Sequence, residues 1–430
     1  MAEGGTTLKV LVVGSGAREH ALAWKISRSP RVSELYAAPG NAGTAAIAVN
    51  VPVKAEDIDG LLAWAKDNGI YLTVVGPEVP LALGIVDRFR AAGLRIFGPS
   101  GQAAQIEASK VFADALMAKH GIPAPQSAAF DSYDEAVAFV RRQTPPIVLK
   151  ADGLAAGKGV VIAATVKEAE TALAEMMRDK VFGDAGNRVI VQEHLNGREM
   201  SYFIITDGRT VLPTVPACDY KRINDNDEGP NTGGMGSYSP PPFYTDALGT
   251  VIRKTIMEPA VLGMADAGIP YAGILYGGLM IDNRRPKVIE FNCRLGDPET
   301  QVVLPRLKTD LVAVIEAALD GTLDKVTLDW TDEACVGVVM ASGGYPGKYE
   351  TGLPVTGLDT LDEDVIVFHA GTKPGENGAV LTAGGRVLTV VALGKDLEEA
   401  RNKVYANIPR ISFSGAHYRR DIADPKKIEG

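Results

Sequence analysis

The chain reads Lys150-Ala-Asp-Gly153-Leu-Ala-Ala-Gly157-Lys158-Gly159-Val160 near its middle, a glycine-rich segment enclosed by two lysines. Apolar residues flank it, so we predict a hairpin between strands at 147–150 and 159–164. Small residues allow such a hairpin to fold over a polyphosphate, and the lysines can neutralise its charge. It is not a Walker loop, because that loop opens a helix, whereas this one leads into a strand. An ordinary mobile hairpin without a ligand is the alternative.

A second motif, Val288-Ile-Glu290-Phe-Asn292-Cys-Arg294, has the pattern of a strand. Because side chains alternate between the faces of a strand, we expect Glu290, Asn292 and Arg294 to share one face. Carboxylate and amide oxygens suit Mg²⁺, which takes few protein ligands and uses substrate phosphates for the rest. Arg294 can stabilise charge on a phosphoryl group in transfer. The alternative is a solvated strand face, but the apolar residues that begin the motif indicate a strand at least half buried.

A polar corner lies between these two motifs, in Val189-Ile-Val-Gln192-Glu193-His194-Leu195-Asn-Gly197-Arg-Glu199. An apolar strand that runs into such a corner can offer backbone groups to adenine and a carboxylate to ribose. Taken alone, the segment is more often only the end of a strand. Its position between the other two motifs favours a nucleotide site.

The N-terminal third alternates short apolar strands with amphipathic helices. We predict strands at 9–13, 72–75 and 95–97 and a helix at 81–92. This rhythm is typical of a doubly wound parallel sheet with helices on both faces. Ligands of such sheets bind beyond the carboxyl ends of the strands, so the turns there carry the information about function.

The first of these turns reads Gly14-Ser-Gly16-Ala-Arg18-Glu19-His20. Glycines at this position let backbone N–H groups approach a phosphate, and the following helix N-terminus adds a favourable dipole. A dinucleotide-binding turn has a third glycine where this chain has Glu19, which argues against an oxidoreductase. A single phosphate held by the turn, with help from Arg18, fits better. A tight turn without a ligand is the alternative.

The pattern changes at 121–125 from a doubly wound rhythm to paired strands around glycine-rich turns, which indicates an α+β unit. A polar stretch at 218–242 is either a linker or a functional loop, and its strongly patterned neighbours favour function. More short strands follow in the last hundred residues, and the chain has no internal repeat.

Composition excludes several classes of protein. The chain of 430 residues is 46% hydrophobic and has a net charge of −9, so it can form several cores and has no bulk attraction to nucleic acid or anionic membranes. No apolar run reaches the length of a membrane span, and the N-terminus lacks a signal pattern. The three cysteines lie far apart without disulfide or zinc spacing, which indicates a reducing cytoplasm.

Together, the lysine, glycine-rich hairpin, corner and Glu-x-Asn-x-Arg strand resemble the ATP-grasp superfamily, and within it the glycinamide ribonucleotide synthetase family. The resemblance extends from about Leu8 to Ile422. The matching stretches are Val13–Ala21, Val75–Leu81, Lys150–Val160, Asp219–Arg222, Gly229–Gly236, Glu290–Gln301, Val367–Thr372 and Tyr418–Ile422.

The resemblance implies an α/β and α+β multidomain fold. We expect an N-terminal doubly wound substrate-binding domain at 1–108 and an ATP-grasp domain pair at 109–328, with a mobile subdomain at about 123–195. A small C-terminal α/β domain would occupy 329–430.

The resemblance also implies a step of purine synthesis, in which ATP, glycine and 5-phosphoribosylamine give glycinamide ribonucleotide, ADP and phosphate through glycyl phosphate. Such enzymes use Mg²⁺ or Mn²⁺ and are cytoplasmic. Many relatives in the superfamily carry a further carboxylate metal ligand on the preceding strand. Here that strand reads Tyr276-Gly-Gly-Leu-Met280, without an acid, so the metal should depend on Glu290, Asn292 and phosphate oxygens.

We assign the candidate site residues by role. Arg294 and Lys158 are the catalytic candidates, and Glu290 and Asn292 are the metal ligands. The ATP-binding candidates are Lys110, Lys150, Gly157, Lys158, Gln192, Glu193, Leu195 and Glu199. The candidates for binding glycine and the aminated sugar are Gly16, Arg18, Glu19, Asn41, Gly43, Thr44, Glu78, Asp219, Lys221, Arg222, Gly233, Gly234, Arg294, Asp297 and Glu299.

Three other functions remain open at this point. One is an ATP-grasp ligase for a different carboxylate and amine, another a dinucleotide-dependent oxidoreductase, and the third an ATP-binding regulatory or scaffold protein. We expect small-molecule substrates, no nucleic-acid or membrane partner, and a monomer or weak homodimer.

Overall fold

The N-terminal part of the protein is built on one parallel sheet. We describe the protein from a computed structural model, at residues 8–154 and 159–428. The strand order is β3-β2-β1-β4-β5, and every neighbouring pair is parallel. The elements are β1 (Leu8–Gly14), α1 (Ala17–Ile26), β2 (Val32–Pro39), β3 (Val49–Asn50), α2 (Ile58–Asp67), β4 (Leu72–Val75), α3 (Glu78–Ala82), α4 (Ile85–Ala91) and β5 (Arg95–Phe97).

Helices cover both faces of this sheet. Val10 and Val12 of β1 pack in one core with Leu22 of α1. Leu11 and Val13, which point the other way, pack in a second core with residues of α2 and α4. Successive residues of a strand point to opposite faces, so an unbroken apolar run indicates burial on both sides. The predicted doubly wound sheet is confirmed.

The predicted single helix at 81–92 is wrong in one respect. The structure divides this region into α3 and α4 at Gly84, whose φ of +81° is left-handed. A residue in that conformation ends the helical hydrogen-bond ladder, and glycine adopts it without a steric cost.

Two antiparallel sheets form the central part of the molecule, in the strand orders β6-β9-β7-β8 and β11-β10-β16-β17. The first is covered by α7 and α8, which share a core with it. The elements as far as β9 are α5 (Gln105–Ala108), α6 (Lys110–His120), β6 (Ser127–Phe130), α7 (Tyr133–Val140), β7 (Ile147–Ala151), β8 (Val160–Ala163), α8 (Val166–Met177) and β9 (Val189–Glu193). Those that follow are β10 (Arg198–Asp207), β11 (Val211–Pro213), β12 (Cys218–Asp219), β13 (Arg222–Asn224), β14 (Glu228–Asn231), β15 (Gly236–Ser239), α9 (Asp246–Ile252), α10 (Glu258–Asp266), β16 (Ala272–Asp282), β17 (Arg285–Asn292), α11 (Thr300–Val303) and α12 (Leu311–Leu319).

The C-terminal sheet is not built from C-terminal residues alone. Its order is β12-β15-β18-β23-β20, so two strands from the polar stretch at 218–242 complete it. That stretch is therefore ordered structure and not a linker. The remaining elements are β18 (Ala334–Ala341), β19 (Pro354–Val355), β20 (Val365–His369), β21 (Thr372–Pro374), β22 (Val380–Thr382), β23 (Arg386–Gly394), α13 (Leu397–Asn407) and α14 (Pro425–Ile428).

The fold class is as expected, with a parallel N-terminal sheet, an ATP-grasp pair of sheets and a C-terminal domain. The domain boundaries at 108/109 and 328/329 stay predictions. Among the described residues, no helix combines the length and the apolar character needed to cross a membrane.

We expect Gly236→Ala to loosen the junction between the central part and the C-terminal sheet. A Cβ at Gly236 would lie 2.8 Å from both the carbonyl oxygen of Gly337 and Cγ1 of Ile422. Overpacking of this kind lowers the free energy of unfolding by about 1–3 kcal/mol. Urea unfolding measures it, with Gly347→Ala, at an exposed turn, as the control. Equal unfolding midpoints for the two variants would contradict the expectation.

Candidate active site

The base of the glycine-rich hairpin is fixed on helix α6. Nζ of Lys110 donates to the carbonyl oxygen of Gly153 at 3.0 Å. Asp152 accepts from the hydroxyl of Ser109 at 3.2 Å and from the backbone N–H of Val111 at 3.3 Å. Lys110 is thus held at the mouth of the hairpin. Gly157 and Lys158, which the sequence assigns to ATP, lie outside the described residues.

Lys150 connects the two antiparallel sheets. It lies at the end of β7, is only 4% exposed, and donates from Nζ to the carbonyl oxygen of Ile289 at 2.8 Å. A β-bulge frees that carbonyl, because Gly278 pairs with Glu290 and the next residue of β16 pairs with Val288. Burial lowers the pKa of Lys150, and the nearby charge of Glu290 acts in the opposite direction.

Glu290 and Asn292 project from the same face of β17. The pairing is regular beyond the bulge, from Glu290 to Asn292 opposite Gly278 to Tyr276, so the two side chains alternate with Phe291. Arg294 follows the end of the strand and donates to Oδ1 of Asn292 at 3.3 Å. The structure therefore brings together the three residues that the sequence places on one face.

Positive charges surround the Glu290 carboxylate. Burial raises the pKa of Glu290, but Lys221, Lys150, Lys110 and Arg294 outweigh it and hold that pKa below its usual value. Glu290 is therefore ionised at neutral pH. A carboxylate among several cations is suited to phosphate and metal chemistry. The cations outnumber the carboxylate, so the site can bind an anion such as a phosphate.

The residues present fit a hard divalent cation that is shared with a phosphate. Among the described residues, Glu290 accepts no hydrogen bond, so its oxygens are available as ligands, and Asn292 adds an amide oxygen. The described part of the chain has no cluster of three or more His, Cys, Asp or Glu side chains that could hold a metal by itself. A cation here would need phosphate oxygens to complete its shell, as Mg²⁺ commonly does.

Arg294 is fixed by two carboxylates from the N-terminal side of the molecule. Its Nε lies 3.1 Å from Glu78, which begins α3, and its Nη2 lies 2.9 Å from Glu107 of α5. Burial disfavours the charge, but these carboxylates raise the pKa of Arg294. Burial also raises the pKa of Glu78, yet Arg294 and Arg18 lower it overall to about 2. Arg294 therefore has a fixed orientation before any substrate arrives.

Sequence reasoning missed Glu107. Besides Arg294, it accepts from the backbone N–H of Cys293 at 2.7 Å, so it fixes the end of β17 as well. Its neighbours in the sequence have no pattern that would single it out. Only the packing of α5 against β17 reveals its role.

A second group of charges near Glu290 comes from β10, β12 and the residues that follow β12. Nζ of Lys221 pairs with the carboxylate of Glu199. Asp219 is held close by: burial, aided by Glu299 and Glu199 and opposed by Lys221, raises its pKa to about 7.

Glu299 is buried beside this group. Its Oε1 accepts from the hydroxyl of Ser201 at 2.8 Å, and that hydroxyl lies 2.9 Å from the hydroxyl of Tyr276. Arg222 points elsewhere, because its Nη1 donates to the carbonyl oxygen of Gly229 in its own hairpin at 2.8 Å. The structure thus gathers Asp219, Lys221 and Glu299 and leaves the Arg222 side chain outside the group.

The predicted adenine corner lies where β9 passes to β10. Gln192 is buried, whereas Glu193 is exposed and accepts from the backbone N–H of Gln126 at 3.0 Å. Leu195 is half-buried, and Glu199 points to Lys221. The corner therefore combines buried side chains with exposed and half-buried ones, so a nucleotide could contact it from the solvent side.

The turn after β1 holds a carboxylate of the protein itself. Glu19 accepts from the backbone N–H of Gly16 at 2.6 Å and from Nε of Arg18 at 2.5 Å. An added Cβ at Gly14 or Gly76 would collide with the Glu19 side chain. Glu19 thus occupies the anion position at the N-terminus of α1 and would repel a second anion, so the structure gives the predicted phosphate in this turn no support, and it stays a prediction.

Arg386 is a second residue that the sequence did not reveal. Its Nη1 donates to the carbonyl oxygens of Gly233 at 2.5 Å and Asp297 at 2.9 Å, and its Nη2 lies 3.2 Å from the Asp297 carboxylate. Gly234 is buried against Pro298, where a Cβ would collide. The C-terminal sheet thus fixes both the Gly233–Gly234 loop and Asp297.

The loop after β2 contacts the C-terminal domain. The side-chain amide of Asn41 donates to the carbonyl oxygen of His369 at 2.7 Å, while its oxygen accepts from the N–H groups of Gly43 and Thr44 at 2.8 and 3.0 Å. The N–H of His369 donates to Nδ1 of His20 at 2.9 Å. These polar groups are satisfied inside the protein, so Asn41 and Thr44 shape the loop.

The comparisons with known proteins agree with one another. Phosphoribosylglycinamide synthetase domain models match at 8–107 (N domain), 108–300 (ATP-grasp (A) domain) and 335–425 (C domain). A relative from Xanthomonas campestris pv. campestris, named phosphoribosylamine–glycine ligase, is 53% identical over 418 residues, 96% of this chain and 97% of its own. The chain belongs to the phosphoribosylglycinamide synthetase family.

Two other proteins of the same name and one protein with a similar fold also match almost the whole chain. A phosphoribosylamine–glycine ligase from Salmonella typhi is 51% identical over 420 residues, 96% of this chain and 98% of its own. The crystal structure of the ligase of that name from Thermotoga maritima has a TM-score of 0.84 at 32% identity, covering 96% of this chain and all of its own. Biotin carboxylase from Campylobacter jejuni has a TM-score of 0.76 at 15% identity and covers 98% of this chain and 95% of its own, which shows that the two proteins share a fold.

We expect the contact between His20 and His369 to make stability depend on pH. Burial lowers the pKa of His20 to about 3 and that of His369 to about 4, below the ordinary 6.5. The unfolded chain therefore binds these protons first as pH falls. The two histidines leave stability unchanged above about pH 7, and below it each lowers the free energy of unfolding by up to about 1.4 kcal/mol per pH unit.

Urea unfolding of His369→Gln between pH 7 and 4 tests this expectation. The variant should show a shallower fall in the free energy of unfolding than the wild type. The control is His194→Gln at the half-buried corner after β9, which should keep the wild-type slope. Identical slopes for the wild type and His369→Gln would show that His369 is not buried in its neutral form.

Proposed function

We propose that the protein joins glycine to 5-phosphoribosylamine at the expense of ATP, as a step of purine synthesis. A glycine carboxylate oxygen attacks the γ-phosphorus of ATP, the bond to ADP breaks, and glycyl phosphate forms. The amine nitrogen of the sugar then attacks the glycyl carbonyl carbon. Phosphate leaves, the nitrogen loses a proton, and glycinamide ribonucleotide is the product. The names of the full-length relatives support this reaction.

One observation carries the proposal: Lys110, Lys150, Lys221 and Arg294 lie close enough to Glu290 to lower the pKa of its carboxyl group, which is therefore ionised. A carboxylate is a weak nucleophile toward phosphorus, so the reaction depends on positioning and on neutralising charge. A free amine needs no Ser, Cys or His nucleophile. The fixed cations therefore neutralise the charge of the phosphates in the first step. The second step needs little more than an amine held close to the glycyl phosphate.

We assign the roles as follows. Lys110 and Lys150, with Lys158, bind the phosphates of ATP, and Arg294 stabilises the transferring group. Because Glu78 and Glu107 fix its guanidinium, Arg294 needs little reorganisation during transfer. The nucleotide is bound by the corner residues Gln192, Glu193, Leu195 and Glu199, and Gly157 of the glycine-rich sequence is a further candidate.

Mg²⁺ or Mn²⁺ would be held by Glu290 and Asn292 together with phosphate oxygens. When bound, the ion neutralises phosphate charge and orients the triphosphate. The carboxylate oxygens of Glu290 and the amide oxygen of Asn292, which projects from the same face of β17, support this role.

The acceptor sugar would lie between the N-terminal domain and the loop around Gly233 and Gly234. Glu19, Glu78, Asp297 and Glu299 present carboxylates there, and these suit the amine and hydroxyl groups of the sugar and the ammonium of glycine. The sugar phosphate lies away from Glu19. Backbone groups of Gly16, Asn41, Gly43 and Thr44 and the charges of Arg18, Asp219 and Lys221 complete the proposed substrate set.

We also propose that the protein is cytoplasmic and that it is a monomer or a weak homodimer. Cys218, Cys293 and Cys335 are free and buried, which suits a reducing compartment. The large exposed apolar side chains belong to separate elements, such as Val49 in β3, Val181 after α8 and Leu262 in α10, and so do not suggest one extensive interface.

The proposed function is tested by ADP release from purified protein. We expect rapid release only when ATP, Mg²⁺, glycine and freshly prepared 5-phosphoribosylamine are all present. Omitting glycine, or replacing it with alanine or formate, should abolish the reaction. ADP release that does not depend on glycine would overturn the proposal, and a preference for formate would indicate a different carboxylate ligase.

We expect Glu290→Gln to lower kcat/KM by on the order of 100-fold. The amide keeps the size of the carboxylate but removes the charge that a divalent cation requires. Mn²⁺ binding in the presence of ATP, measured by electron paramagnetic resonance, should weaken in parallel. Glu56→Gln, at an exposed position of the N-terminal domain, is the control. Unchanged Mn²⁺ affinity in Glu290→Gln would contradict the metal assignment.

We expect Glu78→Gln to raise KM for 5-phosphoribosylamine while the ATP dissociation constant changes little. A charged acceptor contributes about 1.5–3 kcal/mol to a hydrogen bond, so the rise should be about tenfold or more. Steady-state kinetics and equilibrium ATP binding give the two values. An equal loss of affinity for ATP and for the sugar would contradict the assignment of the N-terminal domain to the sugar.

A further inference from the structure

Arg419 is a charged residue that is completely buried outside the proposed reaction centre. Its Nε and Nη2 each lie 2.8 Å from a separate oxygen of Asp421. Its Nη1 donates to the carbonyl oxygen of Arg222 at 3.1 Å and to Asp227 at 2.7 Å. A buried charge is costly unless it is paired and hydrogen-bonded, and Arg419 satisfies this condition with groups about 190 residues away in the chain.

The neighbours of Arg419 contact the same hairpin, formed by β13 and β14. The N–H of Arg420 donates to Asp225 at 2.7 Å, and the ring of His417 contacts the carbonyl oxygen of Ile223 at 2.8 Å. Asp421 accepts from the N–H of Asn226 at 2.9 Å. We call the residues 417–428 the C-terminal clamp, because they hold consecutive residues of the hairpin.

The C-terminal clamp holds both chain neighbours of Lys221. Arg222 is held through its carbonyl oxygen by Arg419. Tyr220 accepts through its hydroxyl from the N–H of Ala423 at 3.1 Å, and its ring lies 4.7 Å from the guanidinium of Arg419. The backbone of Lys221 thus has little freedom, although its own ammonium points away to Glu199.

Glu199, which forms an ion pair with Lys221, is also held by the C-terminal clamp. Glu199 follows Arg198, whose Nη2 donates to the carbonyl oxygen of Ile428. Glu199 lies on β10 and Lys221 lies between β12 and β13, and the two meet as a salt bridge. The C-terminal clamp thus reaches both sides of the pair.

The conformation of the C-terminal clamp is imposed by its surroundings. Ala423 is fully buried and has a left-handed φ of +52°. A non-glycine residue in that region costs of order 1 kcal/mol or more and persists where its surroundings determine it. Tyr405 of α13 supplies part of that support, since it donates to the carbonyl oxygen of Arg419 at 2.7 Å and accepts from the N–H of Ile422 at 3.2 Å.

We propose that Arg419 is a positioning residue, which sets Lys221 in its ion pair with Glu199 through the backbone of Tyr220 and Arg222. The inference rests on the proposed function only for the role of Lys221 at the reaction centre. The positioning itself is a property of the fold. A displacement of about 1 Å at a reaction centre can cost roughly 100-fold in rate, so a remote clamp of this kind can limit activity.

The test compares Arg419→Lys with Arg420→Lys. Lysine keeps the charge at 419 but cannot make the two-oxygen contact with Asp421 and reach the hairpin as well. We expect a tenfold to 100-fold loss of kcat/KM for glycine in Arg419→Lys, with ATP affinity unchanged. Arg420 makes its contacts through its backbone N–H and its backbone carbonyl oxygen, which a substitution leaves in place, so Arg420→Lys should match the wild type. Normal kcat/KM in a folded Arg419→Lys would overturn the proposal.

A double-mutant cycle with Lys221→Met separates positioning from general weakening. If Arg419 acts through Lys221, adding Arg419→Lys to Lys221→Met should cost less than threefold. If the two losses multiply instead, Arg419 acts independently of Lys221 and the proposal is wrong. Should Arg419→Lys fail to fold, Asp227→Ala takes its place, because it removes one hairpin contact and keeps the buried pair with Asp421. Full activity of Asp227→Ala would then contradict the proposal.

Hydrogen exchange gives a result that does not depend on the reaction. The amides of Thr232 and Met235 donate to the carbonyl oxygens of Lys221 and Tyr220 at 2.7 Å each. Both amides should exchange at least tenfold faster in Arg419→Lys than in Arg420→Lys. If the wild type lacks glycine-dependent ADP release, the proposed function fails while this measurement still decides the positioning role. Unchanged exchange would refute that role whatever the activity.

Discussion

The buried charge of Arg294 determines how the parts of this protein meet. A guanidinium in the interior must be neutralised, and the two carboxylates that do so, Glu78 and Glu107, come from α3 and α5. The end of β17 is thereby held against the N-terminal domain, and with it Glu290 and Asn292. Lys150 makes a comparable link from β7 to the β17 bulge. The proposed reaction centre therefore lies where the two antiparallel sheets meet the N-terminal domain. The buried charges of Arg294 and Lys150 find their partners only across these junctions.

Much of the fold could be predicted because its signals are local. The strands at 72–75 and 95–97 agree with the structure to the residue, since each is an apolar β-branched or aromatic run closed by glycine and proline. The alternation of Glu290 and Asn292 is likewise local, because it needs only a strand with a period of two. The break at Gly84 was missed because a glycine within a helical pattern is often tolerated.

The features that escaped prediction depend on contacts between distant residues. Nothing near Glu107 or Arg386 in the sequence indicates that their partners are Arg294 and Asp297. The polar stretch before residue 242 showed no strand pattern, since its strands are short and obtain their partners from the C-terminal part. Glu19 was recognised as a departure from a dinucleotide turn, but only the structure shows its carboxylate in the place of the phosphate.

The shared C-terminal sheet has a consequence for how the chain is made. β15 ends at Ser239, and its partner β18 begins at Ala334, about 95 residues later. While the ribosome synthesises the intervening residues, β15 presents an edge with unpaired backbone groups, and such edges recruit other strands. A product truncated before Ala334 keeps that edge permanently. Such an edge favours aggregation of incomplete copies, whereas in the longer chain β18 covers it.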